Sequence, residues 1–578
     1  MLDIVLRGGS VVDGSGSPGR AADVGLRDGR IVAIGVVVEP AERVIDTRGM
    51  VIAPGFVDIH THYDAQALWD PYCTPSPLHG VTTVLAGNCG FTIAPLGADE
   101  VNADDVDYVM RMMARVEGIP LPSLQAGPSW DWRTFGEYLQ RFDGNLGVNA
   151  GFMVGHSTLR RLVLGAEATS AVATPQQVAR MVDLAHDAMA AGALGFSSSL
   201  GEAHTDGDGA PVPSRASSHA ELLALARAVR DHEGTSLEFI AAMGVIPDDR
   251  INLMTDMSLA AQRPLNWNLL GSLSPTPVYA EQLRSVDHAR AHGAHVVALA
   301  LPDLMRMRAS RVIEDLPAWR EVVALSTAER HIAVGDPEVR DRLRADIVDA
   351  AARGLGVASN FDLLEIAEAP IDRSSLVGRS IASLAREFGV DPIDVLIDVV
   401  LPDRLPLTMV FPSLEPVLGM TDEAWIKRAA VWSDDRVVLG GSDAGAHTDL
   451  MCHANYTTCL LAEVVRERGL FTLEQAIHEI TDIPARLYGL RDRGRIELGW
   501  HGDLVVFDPK VVASAPAASR FDLPGGGERV YAEAVGIAHV LVNGVEIVAH
   551  GQLTRALPGV VLRSGIDTES VNMPGAPT

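Results

Sequence analysis

Between residues 55 and 441, short β-branched runs alternate with helical stretches of ten or more residues. That alternation narrows the fold more than any other feature, because strands that take turns with helices build a parallel sheet with the helices packed on it. The strand-like runs are 55–60, 81–86, 148–154, 194–198, 236–240, 265–269, 296–300 and 436–441, with helices such as 175–191 and 220–232 between them. Over this length the order predicts an α/β fold with a (β/α)8 TIM-like barrel rather than a doubly wound sheet.

The two ends of the chain have another rhythm. Ile4-Val5-Leu6, Val11-Val12, Val24-Gly25-Leu26 and Ile31-Val32-Ala33-Ile34 are separated by Gly9, Gly14 and the turn signal Asp28-Gly29, which reads as a small antiparallel sheet. The far end repeats the style in Asp503-Leu504-Val505-Val506-Phe507, Val540-Leu541-Val542, the Asn543-Gly544 turn and Glu546-Ile547-Val548. Neither end has strands enough to bury a core alone, so both are expected to join in one small domain made from both termini. The expected division is 1–53 for the first part of that domain, 54–497 for the barrel, and 498–578 for the second part and tail. Within the barrel, about 302–427 is too long for one crossover and reads as an insertion over the mouth. The Gly/Pro-rich segment 523–527 and the tail after Ile566 are expected at the surface.

Charge limits the partners. With 75 acidic against 47 basic residues and a net charge of -28, the surface repels phosphate backbones and anionic headgroups, so nucleic acid and membrane are poor partners and a small-molecule substrate is expected. The first five residues lack the basic start of a signal peptide, and no apolar run reaches the roughly 20 residues of a transmembrane helix. A cytoplasmic location follows as the expectation, with a homo-oligomer left open. Cys73, Cys89, Cys452 and Cys459 form no CxxC pair, which argues against a disulfide framework or a zinc knuckle.

Chemistry concentrates at two strand ends. Gly55-Phe56-Val57-Asp58-Ile59-His60-Thr61-His62 is an apolar run closing on two histidines. Residues i and i+2 of a strand share a face, so both imidazoles point into the barrel mouth and supply half of a tetrahedral zinc site. Val437-Val438-Leu439-Gly440-Gly441-Ser442-Asp443 is a second buried run, ending in a carboxylate. Barrel closure would set that end beside the first strand, where Asp443 could touch the metal and take a proton from water as general base.

Other residues carry two readings each. Cys89, in Gly87-Asn88-Cys89-Gly90, completes or bridges the metal site, or is a buried inert thiol. His156 sits near the metal as an electrophile or as a partner of a ligand, or is structural. His447 and His453 touch substrate or hold their loop; His295 opens a run at the wrong end for a barrel site. Arg160 offers a two-pronged clamp for a carboxylate.

At these residues the chain resembles the amidohydrolase superfamily and, within it, the N-acyl-D-amino-acid deacylases. The resemblance rests on the His60-Thr61-His62 run, Gly80-Val81-Thr82-Thr83-Val84, Gly87-Asn88-Cys89-Gly90-Phe91, Gly155-His156-Ser157-Thr158-Leu159-Arg160, Gly441-Ser442-Asp443 and Gly502-Asp503-Leu504-Val505-Val506-Phe507. It implies a metal-bearing barrel with a β-sandwich from both termini, His60 and His62 as ligands, Cys89 in place of a carboxylated lysine, and Asp443 as base. The lysine content agrees, since Lys427 and Lys510 are the two lysines of the chain and neither ends a barrel strand.

Such deacylases also carry a histidine at the ends of strands five and six, where this chain reads Thr235-Ser236-Leu237-Glu238-Phe239 and Pro264-Leu265-Asn266-Trp267-Asn268. The expected centre is therefore one divalent ion, zinc, rather than two, on His60, His62 and Asp443, with Cys89 and Glu238 as further ligands. His156, Asn266 and Asn268 are expected at the substrate. The implied reaction is hydrolysis of a non-peptide amide, an N-acyl (D-)amino acid going to carboxylate plus amino acid. The alternatives are a cyclic amide hydrolase or a non-hydrolytic reaction on the same scaffold, and a ligand-depleted barrel that binds without turnover.

Overall fold

The computed structural model describes residues 1–97, 102–271, 276–412 and 414–573. Its central strands follow the alternation seen in the sequence. Phe56–Asp58 pairs with Val81–Ala86, which pairs with Asn149–Phe152, all parallel. Beyond Met153 the chain continues as Val154–Gly155 and changes partner to Gly195–Ser199. Parallel pairing then runs on through Ser236–Ile240, Leu265–Trp267, Val296–Ala300 and Val437–Leu439. The last of these comes back to the first: Thr61 bridges Ala444 in parallel, and Asp443 N donates to His60 O at 3.2 Å.

These strands are apolar on both faces because both are covered. Inside lie Val57, Ile59, Leu85, Met153, Leu194, Val297, Leu299 and Val438, with Tyr488 among them. Outside, the helices are cut to length by their caps. Pro175–Ala190 starts at Thr174, whose hydroxyl accepts Gln177 N while the Gln177 side chain reaches back, with proline in the first turn.

The two ends of the chain share a nine-stranded sheet, joined where Leu504–Phe507 runs antiparallel to Val51–Pro54. The turn signals hold: Asp28 and Gly29, like Asn543 and Gly544, take left-handed φ between paired antiparallel strands. The sheet is mixed rather than antiparallel, since Leu2–Val11 also pairs in parallel with Ala41–Asp46 and Val51–Pro54. The tail differs too. Val561–Leu562 pairs with Asn149–Phe152 in the central sheet, and Thr568, fully buried, donates its hydroxyl to Gly234 O at 2.7 Å.

Within 302–427 an apolar cluster from Ala309 to Met409 forms apart from the main core, under a three-stranded sheet of Met305–Arg308, Leu407–Phe411 and Leu364–Ile366. Among the described residues no helix is long and apolar enough to cross a membrane.

Candidate metal centre

The side chains of the site arrive from several strand ends. His60 and His62 follow Phe56–Asp58, their ring centroids 5.3 Å apart. Cys89 comes from the turn after Val81–Ala86, which needs left-handed backbone at Gly87 (φ 79), where a Cβ would lie 2.3 Å from Met153 O, and at Cys89 itself (φ 57). Such a conformation costs a non-glycine residue about 1–3 kcal/mol, so the surroundings must hold it. Two buried carboxylates do so: Glu238 Oε2 accepts Cys89 N at 2.6 Å and Asp64 Oδ2 accepts Gly87 N at 3.0 Å.

Asp443, also left-handed at φ 56, brings Oδ1 to 3.4 Å from His60 Nε2 and 3.2 Å from His62 Nε2. Cys89 Sγ lies 3.4 and 3.8 Å from the same two nitrogens. Asn268 Nδ2 stands 3.4 Å from His60 Nε2 and 3.6 Å from the sulfur, while its Oδ1 is buried without a partner. Two imidazole nitrogens, a sulfur and a carboxylate oxygen thus face one small volume at the carboxyl ends of the strands.

The electrostatics of that volume are lopsided. Asp58, Asp64, Glu117 and Glu238 are buried around it and Asp443 is 30% exposed; among the described residues none of the five pairs with a lysine or arginine. Burial pushes Glu238 and Asp64 up to about 7 and Asp58 up to about 6. Burial, with repulsion from neighbouring carboxylates, raises Glu117 and the Cys89 thiol well above their usual ranges. Asp443 goes the other way: although burial opposes it, hydrogen bonds from His60 and His62 hold it well below the carboxylate range. Nitrogen and sulfur donors among uncompensated carboxylates make a place that a divalent cation fits, and His60, His62 and Cys89 offer three ligand atoms within 4.8 Å of one another.

The model of the amidohydrolase family matches residues 43–548. The chain belongs to the amidohydrolase family. This amidohydrolase is 30% identical over 571 residues to the D-aminoacylase of Alcaligenes xylosoxydans xylosoxydans, covering 97% of each chain. To the N-acyl-D-aspartate deacylase of the same organism it is 27% identical over 576 residues, covering 97% of this chain and 95% of that one. It also superposes on the N-acyl-D-glutamate deacylase from Bordetella bronchiseptica, solved with zinc and a phosphonate mimic of the tetrahedral intermediate, with a TM-score of 0.61 at 25% identity over 97% of this chain and 100% of the other. Likeness over the whole length gives the amidohydrolase a TIM-barrel-containing fold.

Four residues singled out in the sequence are not among the atoms that meet there. Glu238 lies beside His60 and Cys89, its Oε1 3.9 Å from His60 Nδ1 and its Oε2 accepting Cys89 N at 2.6 Å. His156 is wholly buried with Nδ1 2.8 Å from Ser198 Oγ and Nε2 2.8 Å from Glu221 Oε1, so neither nitrogen is left for substrate. Arg160 is spent on the same Glu221 carboxylate. Asn266 faces into the barrel, its Nδ2 3.5 Å from Tyr488 Oη. Asn268, two residues on and on the same face, is the one that reaches the cluster.

His447 Nε2 lies 3.9 Å from the other oxygen of Asp443, and His453 Nε2 accepts Arg306 N at 3.1 Å. His453 lines a cavity of about 40 Å³ with His60, Asn268, Asp443, Met305 and Met451, and also a neighbouring one of about 300 Å³ lined by Arg306, Glu365 and Thr408 among others. Glu117 was not legible in the sequence. It follows an amphipathic helix, Ala103–Val116, and carries no motif; the fold alone sets its Oε1 3.3 Å from His62 Nδ1.

Proposed function

We propose that this amidohydrolase is a metal-dependent deacylase that hydrolyses the amide bond of N-acyl-D-amino acids, giving a carboxylate and a free amino acid. The observation that carries the reading is the meeting of His60 Nε2, His62 Nε2, Cys89 Sγ and Asp443 Oδ1 in a volume walled by carboxylates without a cation. Those four residues would hold one divalent ion, zinc in this reading, with Asn268 beside it. The ion would supply a Lewis acid that polarises the scissile carbonyl and makes water acidic enough to attack. Asp443, open on one side and held ionised by the two imidazoles, takes the proton of the attacking water and passes it to the leaving nitrogen. His447, beside the second oxygen of Asp443, faces the route by which that proton moves. The same reading takes the strand circuit as a closed (β/α)8 barrel flanked by a β-sandwich from both ends of the chain. Deacylase activity in relatives aligned from end to end supports the substrate class.

The test is a panel of N-acyl D- and L-amino acids set against hydantoins and lactams, with elemental analysis of the purified protein. Turnover confined to N-acyl-D-amino acids, lowered about 10²-fold or more by Asp443→Asn, is expected. Turnover of the cyclic amides alone would replace this reading with the cyclic amide hydrolase, and protein that takes up no divalent ion would leave a binding module.

A further inference from the structure

We infer that Glu238 and Glu117 brace the two metal-facing imidazoles from behind, and that the strand-five position, which in the deacylases this chain resembles carries a histidine, is used here to orient a ligand. The inference rests on the metal-dependent reading above. Its starting point is a pair of buried ring atoms, His60 Nδ1 and His62 Nδ1, neither of which has a hydrogen-bond partner. Each faces one carboxylate oxygen: Glu238 Oε1 at 3.9 Å from His60 and Glu117 Oε1 at 3.3 Å from His62. A buried N–H left unmade is costly, and a histidine that gives Nε2 to a metal puts its proton on Nδ1, where a carboxylate fixes both tautomer and ring orientation.

Glu117 sits where both burial and the helix oppose its charge. It caps the carboxyl end of Ala103–Val116, where the helix dipole disfavours negative charge. It is 2% exposed, and among the described residues His62 is its one ion-pairing partner. Glu238 works on two ligands together. Its Oε2 accepts Cys89 N, which holds the left-handed turn that presents the thiol, while its Oε1 faces His60. Both glutamates are positioning residues, acting through His60, His62 and Cys89.

Competition of the full-length protein with a chelator for zinc tests this in the isosteric variants Glu117→Gln and Glu238→Gln, alongside melting of the metal-free proteins. Each variant is expected to bind zinc about 10–100-fold more weakly, Glu238→Gln the more so, with metal-free melting temperatures no lower than wild type. Glu117→Asp, which keeps the charge, is expected to recover part of the loss. Zinc affinities within about threefold of wild type, or a loss seen only as lowered melting of the metal-free protein, would overturn the inference. Wild-type protein that binds no zinc would instead remove the functional reading beneath it.

Discussion

Ser442 Oγ donates to Asp58 Oδ2 at 2.5 Å and accepts Ala444 N at 3.0 Å, so one hydroxyl ties the end of the first central strand to the end of the last. Asp58 is fully buried, with one oxygen 3.4 Å from His60 N and the Ser442 backbone N–H also donating to the carboxyl. Removing the hydroxyl takes the shortest of these bonds from a buried carboxyl group, which costs about 1–3 kcal/mol. Ser442→Ala is therefore expected to lower stability by that amount in urea denaturation and to weaken metal retention, because the seam it closes carries both His60 and Asp443. A variant as stable as wild type would show that water or a shifted neighbour replaces the hydroxyl. At this scale the sequence disclosed what strand periodicity can disclose. The i, i+2 spacing put His60 and His62 together, and Asp443 ends the run whose backbone bonds back to His60. Glu117 was invisible, since its 55-residue separation from His62 in the chain is crossed only by tertiary packing. Glu238, expected as a further ligand, sits on Ser236–Ile240 with Oε1 3.9 Å from His60 Nδ1 and Oε2 on Cys89 N.

Among the elements, the strands were the legible part, because apolar runs capped by turn residues leave little choice of state. What escaped was pairing direction at the ends, where Leu2–Val11 takes parallel as well as antiparallel partners, and the late strand Val561–Leu562, too short to stand out. Helices carry a prediction of their own. Leu473–Ile480 packs on Phe56–Asp58 and Val437–Leu439, so it backs the two strands that deliver His60 and Asp443. Glu479 lies half-buried on this helix, and burial raises its carboxyl from 4.5 to about 7. The folded form thus holds a proton that the unfolded chain releases near pH 4.5. Between pH 4.5 and 7 the folded state binds more protons than the unfolded one, so this residue's contribution declines as pH rises through that window and stays low above it. Allowing for its partial exposure, the decline is about 1–2 kcal/mol. Glu479→Gln is expected to gain stability over wild type at pH 8 and not at pH 4.5, measured by urea denaturation. An equal difference at both values would show that the carboxyl titrates as in solvent.

For the whole molecule, the separation of the cluster from Ala309 to Met409 from the main core matters most. The segment 302–427, expected as an insertion, has its own sheet and its own buried tryptophan, Trp319, whose Nε1 donates to Leu343 O at 3.0 Å. A segment with a core of this kind opens as a unit when the contacts that bind it to its host are few. The ligands proposed for the metal all belong to the strand circuit and to none of the insertion. A metal bound to the folded circuit stabilises it by about 2.7 kcal/mol at a hundred times the dissociation constant, and it does nothing directly for a core that lacks the ligands. Calorimetry of the metal-free protein is therefore expected to show two overlapping transitions, and added zinc to move one of them upward by a few degrees while the other stays in place. The shift should vanish in a His60→Ala, His62→Ala double variant, which removes two donors but leaves the insertion untouched. If heating gives one transition that zinc moves as a whole, the insertion is bound too tightly to the barrel mouth to unfold alone. The contact from Arg306 N to His453 Nε2, where the insertion meets the wall of the site, would then be the first place to look for that coupling.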